Sequence, residues 1–295
     1  MEKILVSLVV TFCLPACVDR KNDHLISASF SKQIELRITT KTFSPFRFRE
    51  PFTQGNKIGI YVFSDTSYRQ IEATAVTGPG DNQLEWVCQP SVRLGDQPVF
   101  LYAYAPYSFT ICSHPSRIPL QIASMASDTP DYSYGRLALG HKPVTHRSPW
   151  AVLSMRPVLS RLVFRLKTTE KEPVYLSAVE VANRPGRYLF RKRATLNLLN
   201  GRLTTFPESI GCTRLPLNPS RKLPLALDDP EEIKVFPTDR PMEAEEVEVS
   251  FLLNRKKYTY SFPKGTCWES GYRYVYELVF TKGHLRLNQS AQELF

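Results

Sequence analysis

A chain of 295 residues, 42% of them hydrophobic, is long enough for two ordinary domains that each bury a core. Its 23 prolines, 14 tyrosines and 17 phenylalanines, with few stretches at helical period, speak against a helical bundle and for β structure. The formal charge is +10, and loss of residues 1–16 would remove only Glu2 and Lys3, so a mature chain keeps it. Such a surface either invites anionic partners or carries its charges singly on solvated strand faces.

The chain starts with Lys3 and an apolar run over residues 4–14, too short to span a bilayer as a mature helix. Leu14-Pro15-Ala16-Cys17 follows and resembles a bacterial lipobox, with cleavage between Ala16 and Cys17. Cys17 would then carry a diacylglycerol thioether and tie the protein to a membrane without crossing it. The alternative is an ordinary secretory signal in which the cysteine is incidental. Residues 1–16 therefore read as a signal peptide and 17–33 as a polar tether.

Residues 33–40 alternate Ile34, Leu36 and Ile38 against Gln33, Glu35, Arg37 and Thr39, the pattern of a half-buried strand. A connector over 42–51 contains Pro45, Arg47, Arg49 and Pro51. Gly55-Asn56 predicts a turn into a strand over 57–63, with Ile58, Ile60 and Val62 on one face. Gly59 leaves a gap there that an aromatic ring from a neighbouring strand could cover. A short strand is predicted near 84–87. Residues 99–107, VFLYAYAPY, read as a central strand buried on both faces: Phe100, Tyr102 and Tyr104 on one side, Leu101, Ala103 and Ala105 on the other.

Residues 113–150 hold five prolines and read as long loops around one short strand. The division between an N-terminal domain, 34–150, and a C-terminal domain, 151–295, is placed there. Beyond it strands are predicted over 158–166, 174–181, 246–252, 258–262 and 272–280. Asn200-Gly201 predicts a hairpin within 195–205. Arg255 to Lys257 reads as a hairpin turn. In residues 283–295, Leu285 and Leu287 belong either to a strand donated to another chain, for which the tail is short, or to the last edge of the sheet, which is the default reading.

Several of these stretches together carry a family resemblance. The turn into IGIYVF, the VFLYAYAPYS strand, Asp131, Tyr134 and Gly135 in DYSYG, LSRLVFRL, Val235-Phe236-Pro237 and SGYRYVYELVF occur in an order similar to that of the fimbrillin-like surface lipoproteins of Gram-negative anaerobes, which include the type V pilins. The resemblance implies an all-β protein of two tandem transthyretin-like β-sandwich domains, anchored at the cell outer membrane. It also implies a fimbrial subunit, tip or anchor with a role in adhesion. In polymerising relatives a trypsin-like protease cuts after a basic residue in the first connector, the first strand leaves, and another subunit's C-terminal strand fills the groove. By position Arg47 or Arg49 would be the scissile residue; the other reading is that both are ordinary loop charges.

Four cysteines remain after processing, Cys88, Cys112, Cys212 and Cys267, and they permit two disulfides in three pairings. Cys88 with Cys112 and Cys212 with Cys267 would keep each bridge within one domain. No pair lies at zinc-ligand spacing, the five histidines are scattered, and no nucleophile-elbow, zinc-protease, P-loop or dinucleotide motif occurs, so neither catalysis, a metal nor a cofactor is expected. Asp228, Asp229, Glu231 and Glu232 read as a solvated turn. The basic clusters Arg191-Lys192-Arg193 and Arg255-Lys256-Lys257 offer contacts to lipid headgroups, acidic glycans or nucleic acid, and export argues against the last. The competing function is a non-polymerising surface lipoprotein that binds a glycan or host protein, with Trp86, Trp150 or Trp268 as contacts, although packing explains those rings equally.

Overall fold

The computed structural model describes residues 34–42, 52–64, 67–78, 84–108, 114–225 and 231–294. Their regular secondary structure is almost entirely strand, in two halves. The first half contains β1 (Ile34–Glu35), β2 (Arg37–Thr42), β3 (Lys57–Ser64), β4 (Ser67–Thr77), β5 (Leu84–Gln89), β6 (Arg93–Leu94), β7 (Phe100–Ala105), β8 (Ile118–Gln121), β9 (Ser133–Leu137) and β10 (Trp150–Pro157). Seven of them close into a barrel in the order β10-β2-β5-β4-β3-β7-β9, with β9 pairing back onto β10. Closure leaves the barrel no open edge. Its interior is filled by branched side chains at the two-residue period, among them Ile38, Ile58, Ile60, Leu101 and Leu153, each 1% exposed or less.

Gly55 takes φ +86° in the expected turn, which Asn56 closes by accepting a hydrogen bond from the Thr53 N–H at 3.0 Å. The gap beside Gly59 is filled as its lack of a side chain suggests: a Cβ there would collide with the Tyr104 ring, which sits across from it on β7. β7 itself departs from the expectation of burial on both faces. Leu101, Ala103 and Ala105 face the barrel core, but the opposite face grades from Phe100, 54% exposed, to Tyr104, 4% exposed. Only the end of the strand that meets the second half is covered twice.

The second half contains β11 (Ser160–Thr168), β12 (Tyr175–Asn183), β13 (Arg193–Leu196), β14 (Leu203–Thr205), β15 (Cys212–Lys222), β16 (Glu231–Val235), β17 (Val247–Leu253), β18 (Lys256–Ser261), β19 (Tyr272–Thr281) and β20 (His284–Leu294). Two four-stranded sheets, β16-β11-β19-β20 and β15-β12-β17-β18, face each other. Phe164 of one sheet meets Phe251 of the other edge to face at 5.4 Å, and the buried Trp268 Nε1 donates to Tyr276 Oη at 3.0 Å. Val158, Ser160, Leu162, Phe164 and Leu166 are all buried, as the alternation requires. Asn254 and Arg255, at φ 46° and 66°, make the two-residue turn between β17 and β18. The Asn200-Gly201 signal holds too, with Gly201 at φ +75°, although the β13–β14 loop is longer than two residues because Asn197 closes it onto the Leu199 and Gly201 N–H groups.

Three features were not legible in advance. β10, which begins at Trp150, lies in the barrel, and the next sheets begin only at Ser160. The region read as loops holds β8 and β9 and a 3-10 turn at Ala126–Asp128. β8 then leaves the barrel and pairs with β13, so Ile118, Leu120 and Ile122 are buried in the same cluster as Phe164 and Phe251. Tyr61 and Tyr104 of the barrel join that cluster, and the two halves meet along it.

Of the pairings the sequence leaves open, Cys212 with Cys267 is not formed in this structure. Both are free thiols: Cys212 opens β15 at one edge of its sheet, while Cys267 follows β18 at the other edge, beside the Thr238 hydroxyl at 3.3 Å. Cys88 is also free and buried in the barrel, which pushes its thiol up to about 11. Cys112 lies outside the described residues.

Candidate functional site

The first strand of the barrel is held in an uneven way. β2 runs parallel to β10 over six residue pairs, from Arg37 opposite Trp150 to Thr42 opposite Met155, but against β5 it pairs only at Ile38 with Trp86 and Thr39 with Glu85. Leu36 and Ile38 point inward and are 6% and 1% exposed. Thr40 accepts a hydrogen bond from the indole of Trp86 at 3.2 Å, and the Arg37 guanidinium lies 4.9 Å over the Trp150 ring. Loss of this strand, which has only two paired residues on its β5 side, would open the barrel, leaving backbone groups of β10 unpaired and the core exposed beneath Leu36 and Ile38.

At the other end of the chain β20 turns back on β19 through Lys282 and Gly283, at φ 48° and 74°, and pairs with it along the whole strand. It forms the outer edge of its sheet, as expected for residues 283–295, and its side chains are exposed almost throughout. The order of residues is alike where β2 begins and on β20: Leu36-Arg37-Ile38, with Leu36 just before β2, and Leu285-Arg286-Leu287. Both place two aliphatic side chains on one face with an arginine between them on the other.

The residues that carried the family resemblance come together at the junction of the halves. Asp131 accepts from Arg161 at 3.0 Å and pairs with Lys234 at 3.0 Å, while Arg161 also reaches Glu232 at 2.9 Å. A Cβ on Gly135 would strike Met155 and the Ser154 carbonyl, and Tyr134 caps Gly201. Asp131 and Tyr134 thereby tie the first half to the second, while Gly135 packs within the barrel. Glu231 pairs with Arg221 at 3.1 Å, so the described part of the acidic cluster is engaged in ion pairs. Among the described residues no group of histidine, cysteine, aspartate or glutamate is arranged to hold a metal. No helix among them is long and apolar enough to cross a membrane.

Trp86 and Trp268 are buried, and only Trp150, covered on one side by Arg37, reaches the surface. His141 accepts from the Val152 N–H at 3.0 Å and has a structural part in the barrel. Ala16, Cys17, Arg47 and Arg49 lie outside the described residues. Sequence reasoning missed a second place, a pocket formed by Arg187, Tyr188, Arg191 and Arg240. No motif marks it, because its walls come from two loops about fifty residues apart.

A barrel joined to a two-sheet sandwich is the fold of several bacterial surface proteins. A candidate cell adhesion protein from Bacteroides uniformis superposes with a TM-score of 0.63 at 13% identity, over 89% of this chain and 98% of that one. A fimbrial protein from Bacteroides vulgatus gives 0.60 at 11% identity, over 88% and 99%. The tip fimbrial protein Mfa3 from Porphyromonas gingivalis, truncated at its C-terminus, gives 0.52 at 8% identity, over 89% and 100%. No curated protein matches the chain. The fimbrillin-like family matches residues 39–292, and the chain belongs to that family.

Proposed function

We propose that this protein is a structural or adhesive component of cell-surface fimbriae, assembled by exchange of its first strand. The single observation that carries the reading is the placement of β2: an intercalated strand whose removal opens the barrel. The connector that follows it carries Arg47 and Arg49, and cleavage after either would free β2 from β3. The vacated slot requires a strand with two alternating aliphatic residues and hydrogen-bonding capacity along β10. β20 of another subunit meets that requirement, with Leu285 and Leu287 replacing Leu36 and Ile38 and Arg286 replacing Arg37 over Trp150. At eleven residues it is longer than the six-residue strand it would replace. Family membership and the fimbrial neighbours support the reading. Before assembly the chain is held at the outer membrane by lipid on Cys17.

Digestion of the folded chain with an Arg-specific protease, followed by intact mass and an unheated denaturing gel, tests this. A cut after Arg47 or Arg49 and a ladder of heat-labile multimers is expected. Exchanging both Leu285 and Leu287 for Asp should abolish the ladder without unfolding the chain. Resistance at both arginines with a persistent monomer would overturn strand exchange and favour the acylated surface protein that binds a glycan or host protein.

A further inference from the structure

The pocket missed by the sequence is an open cleft of about 280 Å³ between the loop after β12 and the loop before β17. Both walls are built before any ligand arrives. Asn183 clamps the first loop by donating to the Phe190 carbonyl at 2.8 Å and accepting from its N–H at 2.7 Å, and Gly186 turns the chain at φ +76°. Residues 187–189 are thereby held out from the sheet. On the other wall Arg240 grips the buried Glu246 with two hydrogen bonds of 2.7 Å, and the Glu243 N–H adds a third at 2.7 Å.

The groups left over are informative. Arg191 donates to the Pro207 carbonyl and Arg240 is committed to Glu246. Among the described residues the exposed guanidinium of Arg187 makes no hydrogen bond or ion pair; it acts on Glu246 only through space. Next to it Tyr188 is 53% exposed and has no ring or hydrogen-bond partner among the described residues. A planar fork of donors beside an open aromatic face matches a ligand that offers a carboxylate and an apolar ring face together. Charge narrows the choice further. Three arginines face Asp239 and Glu246, so the pocket favours a singly charged anion, and the two carboxylates oppose a dianionic phosphate.

We infer that this pocket binds a carboxylate-bearing saccharide unit, with Arg187 holding the carboxylate and Tyr188 stacking on the sugar ring. The site is independent of strand exchange, since none of its residues belongs to β2, β10 or β20.

Saturation-transfer NMR and calorimetry on the full chain, with sialyllactose and glucuronate as probes and lactose, glucose and inorganic phosphate as controls, test the inference. Both acidic sugars should bind, with the neutral ones about tenfold weaker or undetected, and Arg187→Gln should weaken binding about tenfold. Arg187→Lys should recover only part of the loss, and Tyr188→Ala should weaken binding with no change in melting temperature, because both side chains are exposed. Failure of both acidic sugars to bind at millimolar concentration would overturn the inference. So would unchanged binding in both the Arg187→Gln and Tyr188→Ala variants, or phosphate binding as tightly as glucuronate.

Discussion

β2 and β20 carry nearly the same residues near their starts and lie in opposite environments. Leu36-Arg37-Ile38 is sealed between β10 and β5, whereas Leu285-Arg286-Leu287 lies on an open edge with Leu287 37% exposed. An alternating pattern therefore says which side chains share a face. It does not say whether that face is covered, which depends on how many neighbours the strand finds.

The largest test of the comparison is a pair of identical substitutions. Ile38→Asp places a charge in the barrel core and should destabilise by about 3 kcal/mol or more, while Leu287→Asp on the edge should stay within about 0.5 kcal/mol; urea unfolding of the two variants measures the difference. Equal losses would mean that β20 is covered in solution and that the two strands do not differ as described.

A second contrast sets the packed barrel wall against the open edge. Gly59→Ala forces the Tyr104 ring away and should cost about 2 kcal/mol, and the same change in a Tyr104→Ala background should cost much less. Chemical unfolding of the four members of that cycle reads the coupling. Additive losses would show that the ring does not press on the glycine.

Acid should act on the second half through Glu246. The Arg240 hydrogen bonds hold its carboxyl down to about 2, against the opposing effect of burial and with help from the Glu243 N–H. A depressed folded value means that the stabilisation is present above the usual carboxylate range and fades as pH falls from about 4.5 towards 2. The solvent-facing side of Arg240 screens the pair, so the contribution is about 1–2 kcal/mol. Melting temperature measured across that window should show a steeper decline for the unmodified protein than for Glu246→Gln.

The smallest effect is one of reactivity. Cys88, its thiol pushed up to about 11 inside the barrel, should resist alkylation of the folded protein, while Cys212 and Cys267, both half-exposed, should react; mass spectrometry after a short pulse of iodoacetamide separates them. Rapid labelling of Cys88 would show that the barrel opens without cleavage.

The sequence by itself determined much of the local structure and the family. The Gly55-Asn56 and Asn200-Gly201 turns, the buried face of Val158, Ser160, Leu162, Phe164 and Leu166 and the ring over Gly59 all follow from side chains a few residues apart or from the space a missing Cβ leaves. Tertiary structure decided which strands meet. Nothing in residues 37–42 marks a parallel pairing with residues more than a hundred positions away, and nothing in Ile118–Gln121 announces that this strand leaves its own half to pair with β13. It also decided that Arg187, Tyr188 and Arg240 would share one pocket. Alternation is written into each segment, but the partner that covers a face is chosen only when distant segments compete for the same core, and that competition leaves no local trace.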